Sequence, residues 1–122
     1  MLSRPHVAVV DDDESVRESL PDLLRELGYE AKPFASAEAF LASGCIGDTR
    51  CLILDVAMPG MSGPELHREL LLQGHTIPVI FVTALMGQGL PALLQKGAVA
   101  CLTKPFSAQD LRGALASALP GA

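Results

Sequence analysis

"VAVVDDDESVR", residues 7–17, runs from an apolar segment through three consecutive aspartates into a helical pattern. An unbroken apolar segment such as residues 7–10 is typical of a parallel β-strand that is covered on both faces. Carboxylates gathered where such a strand ends repel one another. The stretch therefore predicts a strand followed by a helix, and it requires something cationic to compensate the charge between them.

The same alternation of strand and helix continues along the chain. Short apolar segments alternate five times with stretches of 3.6-residue periodicity, a pattern typical of a parallel sheet flanked by helices on both faces. The second strand is partly polar, so we expect it at an edge of the sheet. The predicted strands are residues 7–10, 30–34, 51–54, 79–82 and 100–102. The sequence thus predicts an α/β fold around one five-stranded parallel sheet.

Five helices are predicted from their start and stop signals. The first continues through Pro21, where we expect a kink. The third has its apolar stripe at Leu66, Leu70 and Leu71. Start and stop residues are Val16 to Gly28 for the first helix, Ser36 to about Ser43 for the second, Ser62 with Glu65 to Gly74 for the third, about Pro91 to Gly97 for the fourth, and Ser107 with Asp110 to about Leu119 for the fifth.

Length and composition argue against several classes of protein, including membrane proteins and nucleic-acid binders. At 122 residues the chain is expected to form one domain over residues 1–122. Every apolar run is far shorter than the roughly 20 residues that cross a bilayer, so we expect no membrane association. A net charge of −5 lacks the basic surface of a nucleic-acid binder. Cys45, Cys51 and Cys101 form no CxxC pair, which favours a reducing, cytoplasmic location.

Polar residues follow four of the predicted strands. In a parallel sheet of this kind ligands bind beyond the carboxyl ends of the strands. Taken singly, each residue has an ordinary alternative, such as a helix cap for Asp12 or a solvated charge for Lys104. The residues are Asp11 and Asp12 after the first strand, Asp55 after the third, Thr83 after the fourth, and Lys104 with Pro105 after the fifth.

Taken together, these side chains predict phosphoryl chemistry. Carboxylates that converge within a few ångströms repel by about 4 kcal/mol per pair at an effective dielectric constant of about 20. A hard divalent ion such as Mg²⁺ would relieve this repulsion and share its site with phosphate oxygens. Lys104 could balance phosphoryl charge and Thr83 could donate a hydrogen bond. Asp55 is then the best-placed nucleophile, because a carboxylate can form an acyl phosphate directly.

Four segments of the chain carry a family resemblance. "VVDDDESVR" (9–17), "LILDVAMPGMSG" (52–63), "IPVIFVTA" (77–84) and "CLTKPF" (101–106) resemble the signature blocks of the receiver domains of bacterial two-component response regulators. "SAEAFL" (36–41) and "GLPALLQKGA" (89–98) are similar to the FixJ-type branch. The resemblance covers about residues 5–119 and implies a doubly wound, flavodoxin-like (βα)5 fold.

The resemblance also implies a role for each site residue. Asp55 would accept a phosphoryl group from the phosphohistidine of a sensor histidine kinase or a histidine phosphotransfer protein. Asp12, Asp55 and the backbone carbonyl of Ala57 would bind Mg²⁺, with Asp11 acting through water. Thr83 and Lys104 would contact the phosphoryl oxygens, and the Lys104–Pro105 peptide would be cis. Such a domain is not an enzyme in the ordinary sense, because it catalyses only its own phosphorylation and dephosphorylation.

Some positions depart from the family pattern. Cys101 stands where many receivers carry a switching Tyr or Phe, and we expect it to be a small apolar filler. The switch would then depend on Thr83 and the glycine-rich loop at residues 85–90. Ala57 and Leu85 are apolar where receivers flank the path of the hydrolytic water, which predicts a long-lived phosphoryl group. His6, His67 and His75 are scattered, so we expect them on the surface.

The sequence leaves open the output of the domain and allows alternative functions. The FixJ-type resemblance implies transcription regulation through a DNA-binding domain outside this chain, and a homodimer through the fourth helix, fifth strand and fifth helix. A stand-alone phosphorelay receiver is the alternative. A metal-dependent phosphohydrolase that uses an aspartyl phosphate is a further one, although those enzymes place a second acid two residues after the nucleophile, where this chain has Ala57. A receiver that no longer accepts phosphate is disfavoured, because no expected polar residue is missing.

Overall fold

Five parallel strands form a single sheet in the order β2-β1-β3-β4-β5. The computed structural model of the chain describes residues 4–84 and 97–120. The strands are β1 (His6–Val10), β2 (Glu30–Phe34), β3 (Cys51–Asp55), β4 (Val79–Thr83) and β5 (Ala100–Thr103). Each predicted strand is present within one residue at either end, and the partly polar second strand lies at an edge, as predicted.

The central strands are buried because apolar side chains point to both faces of the sheet. All residues of β3 and β4 are buried. Alternate residues of one strand enter different core clusters: Ile53 packs with Leu24 and Leu115 on one face, and Leu54 packs with Phe40 and Leu66 on the other. The uninterrupted apolar runs of the sequence are thus explained by a core on each side of the sheet.

Helices cover both faces, which confirms the predicted fold class. They are α1 (Glu14–Glu26), α2 (Ala37–Leu41), α3 (Gly63–Leu72) and the C-terminal helix (Ala108–Ala118), with a short 3-10 helix at Ile46–Asp48. The first core contains residues of α1 and the C-terminal helix, and the second contains residues of α2 and α3. The predicted fourth helix, residues 91–96, lies outside the described residues.

Side chains cap the helices where the sequence predicts them. Ser36 accepts a hydrogen bond from the backbone of α2, and both Ser62 and Ser107 form complete capping boxes with the acidic residue three positions later. α1 passes through Pro21 without ending, as expected. The kink predicted at that proline stays a prediction.

Two expectations about α3 are wrong. Leu71 was assigned to the buried stripe but is 46% exposed, whereas His67 was expected on the surface but is buried. The buried side of α3 consists of residues spaced three and four apart, Gly63, Leu66, His67 and Leu70, and the run of leucines obscured this spacing. The His67 ring packs edge to face against Phe81 with 5.9 Å between ring centroids, and burial lowers its pKa.

Neither disulfides nor membrane-spanning helices occur in the part of the chain that the structure describes. Cys45, Cys51 and Cys101 each lie there without a disulfide bond. Within residues 4–84 and 97–120, no helix has the length and apolar character needed to cross a bilayer.

Candidate functional site

The carboxyl ends of the strands bring the predicted polar residues to one edge of the sheet. Asp11 follows β1, Asp55 is the last residue of β3, and Thr83 is the last residue of β4. Oxygen atoms of Asp11, Asp12 and Asp55 lie within 4.8 Å of one another. β1 pairs with β2 on one side and β3 on the other, so the cluster lies where the strand order reverses, the usual ligand position in such sheets.

Asp11 is held at the bottom of this cluster. Its side chain is fully buried, and its Oδ1 atom accepts a hydrogen bond of 2.9 Å from the backbone N–H of Asp13. Arg17 of α1 donates to the backbone carbonyl of Asp11 at 3.0 Å, and the Asp11 N–H donates to the carbonyl of Phe34 at 3.1 Å. Contacts from α1 and β2 therefore fix the position of this carboxylate.

Lys104 supplies the positive charge of the site. Its Nζ atom lies 2.9 Å from Oδ2 of Asp11 and 3.7 Å from Oδ1 of Asp55. Burial lowers the pKa of Lys104, but the close pairing with Asp11 and the charge of Asp55 outweigh this, so its pKa is raised. The Lys104–Pro105 peptide is cis, the geometry that the resemblance implied.

Asp55 lies in an environment that disfavours its negative charge. The residue is only 6% exposed. Burial and the charge of Asp11 raise the pKa of Asp55 to about 7, and the charge of Lys104 opposes them without cancelling them. One lysine is thus insufficient compensation for the carboxylates gathered here.

The residues present fit a hard divalent cation. All three side chains offer carboxylate oxygens, the donors that Mg²⁺ prefers, and Asp12 is exposed, so ion-bound water has room. The buried Oδ2 of Asp11 accepts no hydrogen bond of regular geometry from the described residues, and Lys104 pairs with it through charge. An additional cation would satisfy this oxygen. Ala57 is exposed in the loop after Asp55, and its carbonyl remains a predicted ligand.

Asp13 does not belong to the cluster. Its side chain caps α1, because Oδ1 accepts hydrogen bonds from the backbone N–H of Ser15 at 2.9 Å and from the Ser15 hydroxyl at 2.8 Å. These hydrogen bonds lower the pKa of Asp13. The prediction that the third aspartate is a cap or faces solvent is confirmed.

The expected switch positions lie on neighbouring strands. Thr83 is buried, and its backbone carbonyl accepts a hydrogen bond of 2.8 Å from the Lys104 N–H. Cys101 of β5 is half-buried opposite Phe81 of β4 and packs against the second core cluster. Burial raises the pKa of the Cys101 thiol, which keeps it protonated at neutral pH. The loop at residues 85–90, including Leu85, lies outside the described residues.

Comparison with known proteins decides the family. The model of the response regulator receiver domain family matches residues 7–116. This chain belongs to that family. Receiver domains bind Mg²⁺ at their acidic pocket, interact with histidine kinases or phosphotransfer proteins, and are not classical enzymes. The phosphohydrolase alternative is therefore set aside.

Individual relatives support the FixJ-type assignment of this receiver domain. The response regulator protein TmoT of Ectopseudomonas mendocina is 43% identical over 93% of this chain and 52% of TmoT. The transcriptional regulatory protein FixJ of Azorhizobium caulinodans is 40% identical over 93% of this chain and 54% of FixJ. This receiver domain thus spans about half the length of these curated relatives.

A solved structure adds a likeness at the level of the fold. The response regulator protein TrrA of Thermotoga maritima, in complex with Mg²⁺ and BeF, is 30% identical and superposes with a TM-score of 0.83. The match covers 94% of this receiver domain and 99% of that chain.

Two contacts near the site were not predicted. Arg17 holds the backbone of Asp11, and Glu38 of α2 accepts a hydrogen bond from the Met61 N–H in the loop that follows Asp55. Glu38 and Met61 are 23 positions apart, and each looks ordinary in its own segment. The glycine of "MSG", Gly63, could have been noticed, since an added Cβ there would overlap the backbone carbonyl of Asp55.

Proposed function

We propose that Asp55 accepts a phosphoryl group from the phosphohistidine of a sensor histidine kinase or histidine phosphotransfer protein, in a Mg²⁺-dependent reaction. The carrying observation is the convergence of Asp11, Asp12 and Asp55 within 4.8 Å beside the Lys104 ammonium. Family membership supports the same reaction. Asp55 is the acceptor because it ends a central strand beside Lys104 and, unlike the fully buried Asp11, keeps a small exposed surface.

The residues divide the chemistry among themselves. An Asp55 oxygen attacks phosphorus, the O–P bond forms as the N–P bond of the donor histidine breaks, and the leaving imidazole retains the electron pair and takes up a proton. Asp12, Asp55 and the Ala57 carbonyl would hold Mg²⁺, with Asp11 acting through water, and the bound ion would supply charge neutralisation. Lys104 is already within 3.7 Å of Asp55 and balances the added negative charge.

The response to phosphorylation belongs to the same proposal. Thr83 donates a hydrogen bond to a phosphoryl oxygen, and the predicted remainder of the switch, residues 85–90, lies outside the described residues. Cys101 takes the place of the aromatic switch as a small filler. Ala57 is exposed and apolar, so it offers no group to orient a hydrolytic water, and we expect a long phosphoryl lifetime.

The wider setting is inferred from the relatives. A receiver that spans about half of transcriptional regulators such as FixJ fits regulation of transcription by a DNA-binding domain outside this chain. Residues 1–122 would act as a single cytoplasmic receiver domain that contacts neither nucleic acid nor membrane itself. The face formed by the predicted fourth helix, β5 and the C-terminal helix is the candidate homodimer surface. A stand-alone relay is the alternative.

Intact-mass measurement after incubation with acetyl phosphate and Mg²⁺ tests the acceptor. The wild-type protein should gain one phosphoryl mass, whereas Asp55→Asn should gain none, and EDTA should abolish the gain. Asp13→Asn is the matched control, because Asp13 caps α1 and should leave phosphorylation intact. Equal labelling of wild type and Asp55→Asn would rule out Asp55.

A further inference from the structure

The loop that follows Asp55, residues 56–62, is fastened at its ends but exposed in its middle. The N–H of Val56 donates to the carbonyl of Val82, and the N–H of Gly63 donates to the carbonyl of Val56, both at 3.0 Å. Met58 is buried in the second core cluster, whereas Pro59 and Gly60 are exposed. A contact from outside the loop can further fix the exposed turn at Pro59 and Gly60.

Glu38 provides that contact. Its Oε2 atom accepts a hydrogen bond of 3.2 Å from the backbone N–H of Met61. Ser36 caps α2 just before it, and Phe40 just after it is fully buried. The backbone that carries Glu38 is thus fixed, and its carboxylate reaches the loop from a rigid base.

Gly60 fits the carboxylate closely. The residue has φ of +76°, a conformation that favours glycine, and an added Cβ would lie 2.7 Å from Oε2 of Glu38. The carboxylate therefore lies directly against the glycine backbone. The Glu38 carboxylate is thus held in the turn by two features, its close approach to Gly60 and its hydrogen bond with Met61.

We propose that Glu38 is a positioning residue, whose carboxylate holds the loop after Asp55 in the conformation that accepts phosphate. The loop carries Ala57, the predicted carbonyl ligand, two residues after Asp55. The proposal rests on the proposed function. The alternative role for Glu38 is to stabilise the N-terminus of α2 through its negative charge, without holding the loop.

The substitutions Glu38→Gln and Glu38→Ala separate these roles. Glutamine keeps a side-chain oxygen that can accept from Met61 but loses the charge, whereas alanine loses both. A hydrogen bond from an exposed amide is worth about 1 kcal/mol, which corresponds to a roughly fivefold effect. Glu26→Ala, at the exposed last position of α1, is the matched control for loss of an acidic side chain.

Two measurements on each variant test the proposal. Amide hydrogen exchange of Met61 in metal-free protein should quicken about fivefold in Glu38→Ala and much less in Glu38→Gln. The Mg²⁺ concentration that gives half the maximal rate with acetyl phosphate should rise by a similar factor in Glu38→Ala alone. Glu26→Ala should match wild type in both.

The outcomes separate this proposal from the proposed function. Unchanged exchange and unchanged Mg²⁺ dependence in Glu38→Ala would overturn the positioning role, as would equal losses in the alanine and glutamine variants, which would assign the effect to charge. If wild-type protein accepted no phosphoryl group, the proposed acceptor would be wrong, and unchanged Met61 exchange in Glu38→Ala would separately remove the loop contact.

Discussion

Asp55 illustrates how neighbours set the chemistry of a single carboxyl group. In water the same side chain would lose its proton at a pH well below neutral. In the folded protein, burial and the charge of Asp11 raise its pKa to about 7. Asp13, two residues from Asp11, has its pKa lowered because it accepts hydrogen bonds from Ser15. Asp55 and Asp13 therefore have pKa values shifted in opposite directions, because Asp55 faces another acid and Asp13 faces a helix start.

The raised pKa of Asp55 predicts a pH-dependent effect of Asp55→Asn. The folded state binds the Asp55 proton more tightly than the unfolded state, so the free energy of unfolding falls as pH rises from about 4 to about 7. Asparagine removes this loss. In EDTA, we expect Asp55→Asn to exceed wild type by roughly 1–2 kcal/mol at about pH 8, after allowance for solvent screening, and to differ little near pH 4.

Urea denaturation at the two pH values measures this difference. Asp13→Asn is the control and should not gain stability at the higher pH, because the pKa of Asp13 is lowered rather than raised and asparagine keeps an oxygen that caps α1. An Asp55→Asn protein no more stable than wild type at about pH 8 would contradict the account of Asp55.

Among the elements, β3 and α3 depend on a close approach of backbones. Gly63 begins α3 directly over the strand end, and an added Cβ would overlap the carbonyl oxygen of Asp55. The helix can begin there only without a side chain. The junction thus ties the start of α3 to the position of Asp55, the proposed phosphoacceptor.

Gly63→Ala should therefore destabilise the domain and slow phosphorylation of Asp55. We expect a loss of at least about 2 kcal/mol, since backbone must move to admit the methyl group. Gly113→Ala is the matched control: Gly113 lies inside the C-terminal helix with open space around an added Cβ, so the change should stabilise by about 0.5–1 kcal/mol. Urea denaturation of both variants, with intact-mass labelling, gives the comparison; equal effects would refute it.

Helix ends were predictable, whereas one helix face was not. Ser62 and Ser107 each precede an acid by three positions, a local pattern whose physics is complete within one turn. The buried side of α3 depends on what packs against it. Three consecutive leucines allowed more than one stripe, and the placement of His67 against Phe81 was settled by a strand far along the chain.

For the molecule as a whole, the acidic cluster predicts stabilisation by Mg²⁺. A ligand that binds only the folded state adds about 1.4 kcal/mol when its concentration is about ten times Kd. The melting temperature of wild type should rise with MgCl₂ at constant ionic strength, and the rise should shrink in Asp12→Asn, which lacks one candidate ligand. Differential scanning fluorimetry against matched KCl measures this. No shift in wild type would contradict a magnesium site.

The layout of the sheet was largely predictable from the chain, and the contacts around the site were not. Apolar runs located all five strands, and residues after them located the carboxylates and Lys104. The full strand order was given by the structure, since composition does not determine which strands pair. The contact of Glu38 was missed because Met61 lies 23 positions away. The contact of Arg17 was missed because it is made to the backbone carbonyl of Asp11, which the side-chain pattern does not reveal.

The backbone ladder of the sheet continues past the strands that carry the site. The Val56 N–H bonds to the carbonyl of Val82, and the Lys104 N–H bonds to the carbonyl of Thr83. These hydrogen bonds join β3, β4 and β5 at the carboxyl edge of the sheet, where the phosphoryl group is proposed to bind. Sliding one of these strands along its neighbour would break these backbone hydrogen bonds. We therefore expect the signal of phosphorylation to pass through side-chain rotation or through the chain beyond Ala84. The loops could then differ among relatives, and so change the phosphoryl lifetime or the choice of partner, while the sheet beneath them keeps the same structure.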